Sequence, residues 1–261
     1  MLTLKEAVPE LAFQPVFDEI RRTLYPVYRY LQGNCHCNAH LASLILRSRG
    51  IAHKKIWIFA PSRYSVKSNE SFRIYDRNQI SPNGWINWGY HVAPMISIEG
   101  KDFIFDYNFS ETSPLSLSEW LSYFCLNKFK CVIEEADNFL FYTRLEDEKQ
   151  VFDNSFYPLE GECLENGWLE KGLAVNETAL TMYQDCYLNA LNNGGSKELL
   201  DDYKQLIGRI LNFECVFRER GFNKRMTTEF QIRHQDLIRY YRGVYEDNVT
   251  KWKKVTDCYR P

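Results

Sequence analysis

The stretch Cys35 to Arg49, CHCNAHLASLILRSR, is apolar on nearly every side when wound as a helix, and it constrains the fold more than any other part of the chain. Such a helix cannot lie on a surface and must be enclosed by its own protein. Gly50 ends it. Ahead of it, LAFQPVFDEIRRTLYPVYRYLQ (residues 11–32) places apolar and charged positions at helical spacing, and Gly33-Asn34 then breaks the pattern.

Three strand segments follow the central helix: KKIWIFAP, YHVAPMISI and KDFIFDYNF, all rich in β-branched and aromatic residues. Residues 62–84, between the first two, are polar and read as a long exposed loop, a kind of segment that often serves as a lid or binding loop. A helix over 116–126 and a strand pair over 130–142 complete an α+β fold, a central helix packed on an antiparallel sheet. From Glu177 onward the pattern is helical, with turns at Gly194-Gly195 and at Gly221-Phe222-Asn223. The chain therefore divides into a first domain over residues 1–150 and a helical C-terminal region over 151–261, with a linker at about 151–175.

Composition narrows the function. With 45% hydrophobic and 25% charged residues the chain is an ordinary globular one, and a net charge of -2 offers no broad field for nucleic acid or an anionic membrane surface. Nowhere do about 18 consecutive apolar residues occur, so no membrane span is expected. The start, MLTLKEAVPELAF, lacks a basic region followed by an apolar one. The expected location is the cytoplasm, or outside the cell by a non-Sec route. Eight cysteines at irregular spacing then read as reduced thiols, with no metal site and no cofactor implied. Zinc held by Cys35, His36, Cys37 and His40 would require three of the four to leave their helical directions.

A cysteine is nucleophilic as its thiolate, which a helix N-terminus favours, and Cys35 occupies such a position. At about 100° per residue, Cys37 points about 200° away from Cys35, towards Leu41 and Leu44, and His40 points about 140° away, out of reach of the Cys35 sulfur. The base must come from elsewhere. A two-residue Glu99-Gly100 turn pairs Ile98 with Lys101, which brings His91 and Asp106 to one face as diagonal neighbours about 7–8 Å apart at the backbone. An Asp and an imidazole bridge that span with a hydrogen bond, and Asp106, in an apolar run, needs such a partner. Nucleophile Cys35, base His91 and orienting Asp106 form the candidate triad. The bland alternative is a packed thiol and a structural histidine.

The segments NCHCNAHLASLIL, KKIWIFA, WGYHVAPMI and DFIFDYNFS resemble the bacterial protein glutaminases and related glutamine deamidases, some of them delivered effectors with a papain-like core. The resemblance covers about residues 25–125. It implies a papain-like fold, a nucleophile at Cys35 in a Cys-x-x-x-Ala-His stretch with Ala39 and His40 matching, a base at His91, and an acid at Asp106. Where the family usually has Pro after the acid, this chain has Tyr107. The implied reaction turns a glutamine side chain of a protein or peptide into glutamate with release of ammonia. Gln32 or Asn34 would add a side-chain donor to the oxyanion, and Trp88 and Tyr90 would wall the substrate slot or pack in the core. The same triad serves a cysteine peptidase or a transglutaminase, and a non-catalytic binding module is the reading from another class. The helices from about Glu177 to Pro261 are expected to dock the target protein, so that a chain ending near Phe156 would keep activity on a short peptide and lose it on a protein.

Overall fold

The computed structural model describes residues 8–77, 79, 81, 83–126, 128–210 and 228–260. Helix α1 (Val8–Tyr28) is followed by α2 (Cys35–Ser48), whose residues from His36 to Leu46 are buried apart from Asn38. The all-round apolar pattern of α2 is thus accounted for: it lies between α1 on one side and sheet and further helices on the others.

The main sheet has five antiparallel strands in the order β6-β5-β4-β1-β7. These are β1 (Lys54–Phe59), β4 (Tyr90–Ile98), β5 (Lys101–Ile104), β6 (Leu115–Ser116) and β7 (Lys130–Glu135). Five of the six β1 residues are buried, as suits a strand covered on both faces. Ile56 and Ile58 face a cluster with Met95, Ile104, Trp120 and Phe124, whereas Trp57 and Phe59 face Ala39 of α2 and Phe152. The β4–β5 register is the expected one: Ile98 opposes Lys101 across Glu99 and Gly100, whose φ of 49° and 78° suit a tight two-residue turn.

Several expectations need correction. Residues 62–84 are not simply a loop, since they include a short helix α3 (Pro61–Tyr64) and a strand β2 (Phe72–Tyr75) paired with β3 (Trp85–Trp88). The alternation of buried Phe72, Ile74, Ile86 and Trp88 with more exposed residues was the overlooked strand signal. The strand pair expected over 130–142 is divided between two sheets. β7 adds to the edge of β1, and β8 (Asn138–Glu146) pairs with β9 (Lys149–Pro158) through Asp147 and Glu148 at φ 47° and 64°. That turn contains no glycine and so left no mark in the sequence.

The expected linker at about 151–175 is likewise built structure, comprising the rest of β9, α5 (Gly161–Glu165) and the start of α6 (Trp168–Met182). Leu169, Leu173 and Ala174 of α6 enter one apolar cluster with Phe17, Ile20, Leu41 and Ile45, which is why this segment cannot be a free connector. One π-helical turn (Tyr183–Leu188) leads from α6 into α7 (Asn189–Asn192). α8 (Lys197–Ile210), α9 (Thr228–Arg233) and α10 (Gln235–Asp257) follow; the expected turn at Gly221-Phe222-Asn223 lies outside the described residues. No helix among the described residues is long and apolar enough to cross a membrane.

Because α6 fills the groove over α1 and α2, a chain ending near Phe156 would expose that cluster and cut β9 short of Pro158. Such a chain is expected not to unfold cooperatively, so the peptide activity would fall together with the protein activity. In the full chain, Leu173→Ala, at a fully buried position, is expected to cost about 2–5 kcal/mol in denaturant unfolding.

Candidate active site

Cys35 opens α2 directly after Asn34, which adopts a left-handed conformation (φ 59°, ψ 28°) that Asn tolerates better than most residues. Three side-chain hydrogen bonds to α6 hold this turn. Asn34 Nδ2 donates to Gly172 O at 3.2 Å and to Asn176 Oδ1 at 3.0 Å, and Asn176 Nδ2 donates to Gly33 O at 3.2 Å. Helix geometry leaves the amides of Cys35 and His36 with no carbonyl one turn back, while those of Cys37 and Asn38 reach Asn34 O. Cys35 itself is partly exposed.

Cys37 and His40 point away, as the helical arithmetic requires. Cys37 is fully buried and abuts Gly172 so closely that a side chain there would overlap its sulfur, and burial pushes its thiol well above the usual range. His40 Nδ1 pairs with the buried Lys55 Nζ at 2.9 Å, which also donates to Asn138 O at 3.0 Å. Burial pushes both pKa values well down. His36 Nδ1 meets Tyr90 OH at 3.2 Å. The two histidines are thus committed to different partners, and among the described residues no group of three or more His, Cys, Asp or Glu is placed to hold a metal ion.

His91, the second residue of β4, has Nε2 at 2.7 Å from Asp106 Oδ2, and both residues are buried. Asp106 stands just beyond β5, where its carboxylate also accepts Trp120 Nε1–H at 2.7 Å and the Asn108 amide at 3.0 Å. The capping box of α4 (Leu117–Ser122), formed by Ser116 and Glu119, fixes the helix that delivers Trp120. Trp88 stacks on the imidazole, 4.5 Å between centroids at 11°. Burial lowers the His91 pKa, but the charge and hydrogen bond of Asp106, with the nearby Cys35 adding to them, overcome that and raise it to about 10. Tyr107, at the position where the resemblance led one to expect Pro, is buried and donates to Phe17 O at 3.0 Å, which ties the Asp106 strand to α1.

Cys35, His91 and Asp106 line one narrow crevice. It adjoins a wider cavity of about 200 Å³ whose walls include Gln32, Asn34, Cys35, Trp88, Tyr90 and Asn108. The expected slot residues Gln32, Asn34, Trp88 and Tyr90 are therefore gathered around one cavity. Asn34 Nδ2 gives its hydrogens to Gly172 O and Asn176 Oδ1 of α6. Trp88 donates to Leu31 O at 2.8 Å, so it braces the His91 ring as well as walling the cavity. Gln32 Oε1 accepts from Tyr30 OH at 3.4 Å, and the side chain stands in the wall.

Three participants were missed in the sequence. Trp120 carried a signal, because a buried indole needs an acceptor and a buried carboxylate needs donors. Asn108 lines both crevice and cavity, with a buried Oδ1 that lacks a hydrogen-bond partner. Asn176, 142 residues from Asn34, left no local signal at all.

Residues 13–124 match the sequence profile of a family described as Glutaminase. No curated protein matches the chain. Among solved structures it is similar to the protein-glutaminase from Chryseobacterium proteolyticum determined by NMR, at 14% identity and a TM-score of 0.38, over 67% of this chain and 86% of that one. A crystal structure of protein-glutaminase aligns at 14% identity and a TM-score of 0.37, over 64% and 84% of the two chains. A crystal structure of pro-protein-glutaminase aligns at 15% and 0.39, over 56% and 52%.

Two predictions follow from the geometry. Asn176→Ala removes an acceptor for Asn34 and the donor to Gly33, which is expected to cost about 1–3 kcal/mol of stability. It should also slow alkylation of Cys35 roughly 10–100-fold through misplacement of the thiol, measured against the exposed Cys125. The second prediction concerns pH. A histidine whose folded pKa lies above its ordinary 6.5 stabilises fully below that value and loses the contribution as pH rises through about 10. The denaturation midpoint of the parent should therefore exceed that of His91→Gln by a margin that shrinks between pH 6.5 and 10, and a constant margin would remove the charged pair.

Proposed function

We propose that the protein deamidates glutamine side chains of proteins or peptides by thiol chemistry on a papain-like core. The observation that carries this reading is the His91–Asp106 pair meeting Cys35 in one crevice beside a cavity of about 200 Å³, smaller than the roughly 300–1,000 Å³ typical of small-molecule sites. A cavity of that size suits one inserted side chain. The match of residues 13–124 to the glutaminase family supports amide hydrolysis as the reaction class. A central helix with the nucleophile at its start, set against an antiparallel sheet that supplies the base, supports the papain-like description.

In this mechanism the Cys35 thiolate attacks the carboxamide carbon, and the negative oxygen that forms accepts from the Cys35 amide at the helix start. The His91 imidazolium, kept protonated by Asp106, gives its Nδ1 proton to the departing ammonia. Water then attacks the thioester while His91 takes its proton, and glutamate leaves with the thiolate restored. Asn108 Oδ1, a buried acceptor without a partner, suits the substrate –NH2 and disfavours the carboxylate product. Trp120 and Trp88 act on the base only through position.

The test is incubation with glutamine peptides and a panel of proteins, with intact mass and ammonia recorded. The expected outcome is the mass gain of amide-to-acid exchange with equal ammonia. Cys35→Ala and His91→Ala should each reduce it at least about a thousandfold, and Cys37→Ala should keep most of it. Chain cleavage instead would mean a peptidase, incorporation of an added primary amine a transglutaminase, and no turnover with Cys35 no more reactive than Cys37 a binding module.

A further inference from the structure

Arg63, on α3, is the only Lys, Arg, Asp or Glu among the residues lining the cavity of about 200 Å³. Its guanidinium stands over the Tyr90 ring, 5.6 Å from the centroid, and its stem crosses Gly89 so closely that a Cβ there would overlap Nε. Glycine at 89 thus clears a seat for this side chain against the wall of the cavity. Among the described residues the guanidinium has no carboxylate at ion-pair distance and no hydrogen bond, its one contact of this kind being the tyrosine face. Arg63 does not line the crevice that holds Cys35, His91 and Asp106, so it stands off the reacting atoms.

We infer that Arg63 is a specificity-determining residue that binds a carboxylate of the substrate beside the target glutamine. The inference rests on the deamidase reading and names its substrate class: a glutamine with an anionic neighbour. A guanidinium seated over a ring keeps its N–H fork free and matches a carboxylate with two parallel bonds, and a half-enclosed cavity screens that pairing less than open water does. The carboxylate has two sources of equal chemistry, the side chain of an adjacent Glu or Asp and the α-carboxylate of a terminal glutamine.

The experiment uses the full chain carrying Cys35→Ala, so that binding is read without turnover. Titration calorimetry at low salt compares blocked peptides that differ only in the residue next to glutamine, Glu, Ala or Lys, with a peptide ending in glutamine and a free carboxylate. One of the anionic peptides is expected to bind about tenfold more tightly than the Lys peptide. Adding Arg63→Glu should invert that order, and Arg63→Lys should preserve it. Whichever anionic peptide responds to Arg63→Glu identifies the source. Equal affinities in the parent, or an acidic preference that survives Arg63→Glu, overturn the inference. Ammonia release from the same peptides with Cys35 intact separates the two readings: an Arg63-dependent preference with no ammonia would leave the carboxylate site standing and sink the deamidase.

Discussion

The buried amide of Asn34 gives its hydrogens to α6, and the position of Cys35 depends on that commitment. A left-handed residue before a helix is a strained joint, and a strained joint keeps one geometry only when its surroundings over-determine it. Here the surroundings are a carbonyl and a side-chain amide from a helix more than 130 residues later, with Asn176 returning a bond to Gly33. The α2 helix thereby has its start fixed from outside, while its flanks are fixed by apolar packing against α1 and the sheet. Packing alone would leave α2 free to shift along its axis, because apolar contacts are non-directional. The amide bonds are directional and remove that freedom at the end that carries the sulfur.

The opposite wall follows a similar logic with charge. A carboxylate nearly enclosed by protein is costly unless donors surround it, and Asp106 has a ring N–H from His91, an indole N–H from Trp120 and the Asn108 amide. These bonds leave the imidazole one orientation, with Nε2 spent and Nδ1 towards the thiol. Trp88, Trp120 and Phe124 crowd the ring and exclude water from one side of it, which strengthens the pull of Asp106 on its proton.

What could be read from the chain depended on how local the cause was. The helix over 35–49 was legible because enclosure leaves no polar face, and the His91–Asp106 pairing because a two-residue turn dictates a register. The β2–β3 hairpin lay hidden in a polar stretch, since only alternate residues of each short strand are buried. The β8–β9 turn hid because non-glycine residues occupy its left-handed positions. Segment 151–175 looked like a connector because the partners of its apolar residues lie far back in the chain. Asn34 was noticed for its nearness to Cys35, yet its task is structural, and only the distant acceptors reveal it.

Those distant acceptors are themselves held in place by the last helix. Thr256 Oγ1 and Arg260 Nη2 both donate to Glu170 Oε1 at 2.5 Å, Lys251 pairs with Glu177 at 2.6 Å, and Asn248 Nδ2 donates to Thr178 Oγ1 at 3.0 Å. These contacts flank Gly172 and Asn176 on both sides along α6, and Trp252, buried beside them, closes the same apolar cluster that holds α1 and α2. A chain of directional contacts therefore runs from α10 to α6, from α6 to the Gly33-Asn34 turn, and from that turn to Cys35. Substitutions on the buried side of α10 should reach the thiol through this route, whereas the exposed side of the same helix has no such path and is free to meet other molecules. One face of the C-terminal region thus supports the turn that carries Cys35.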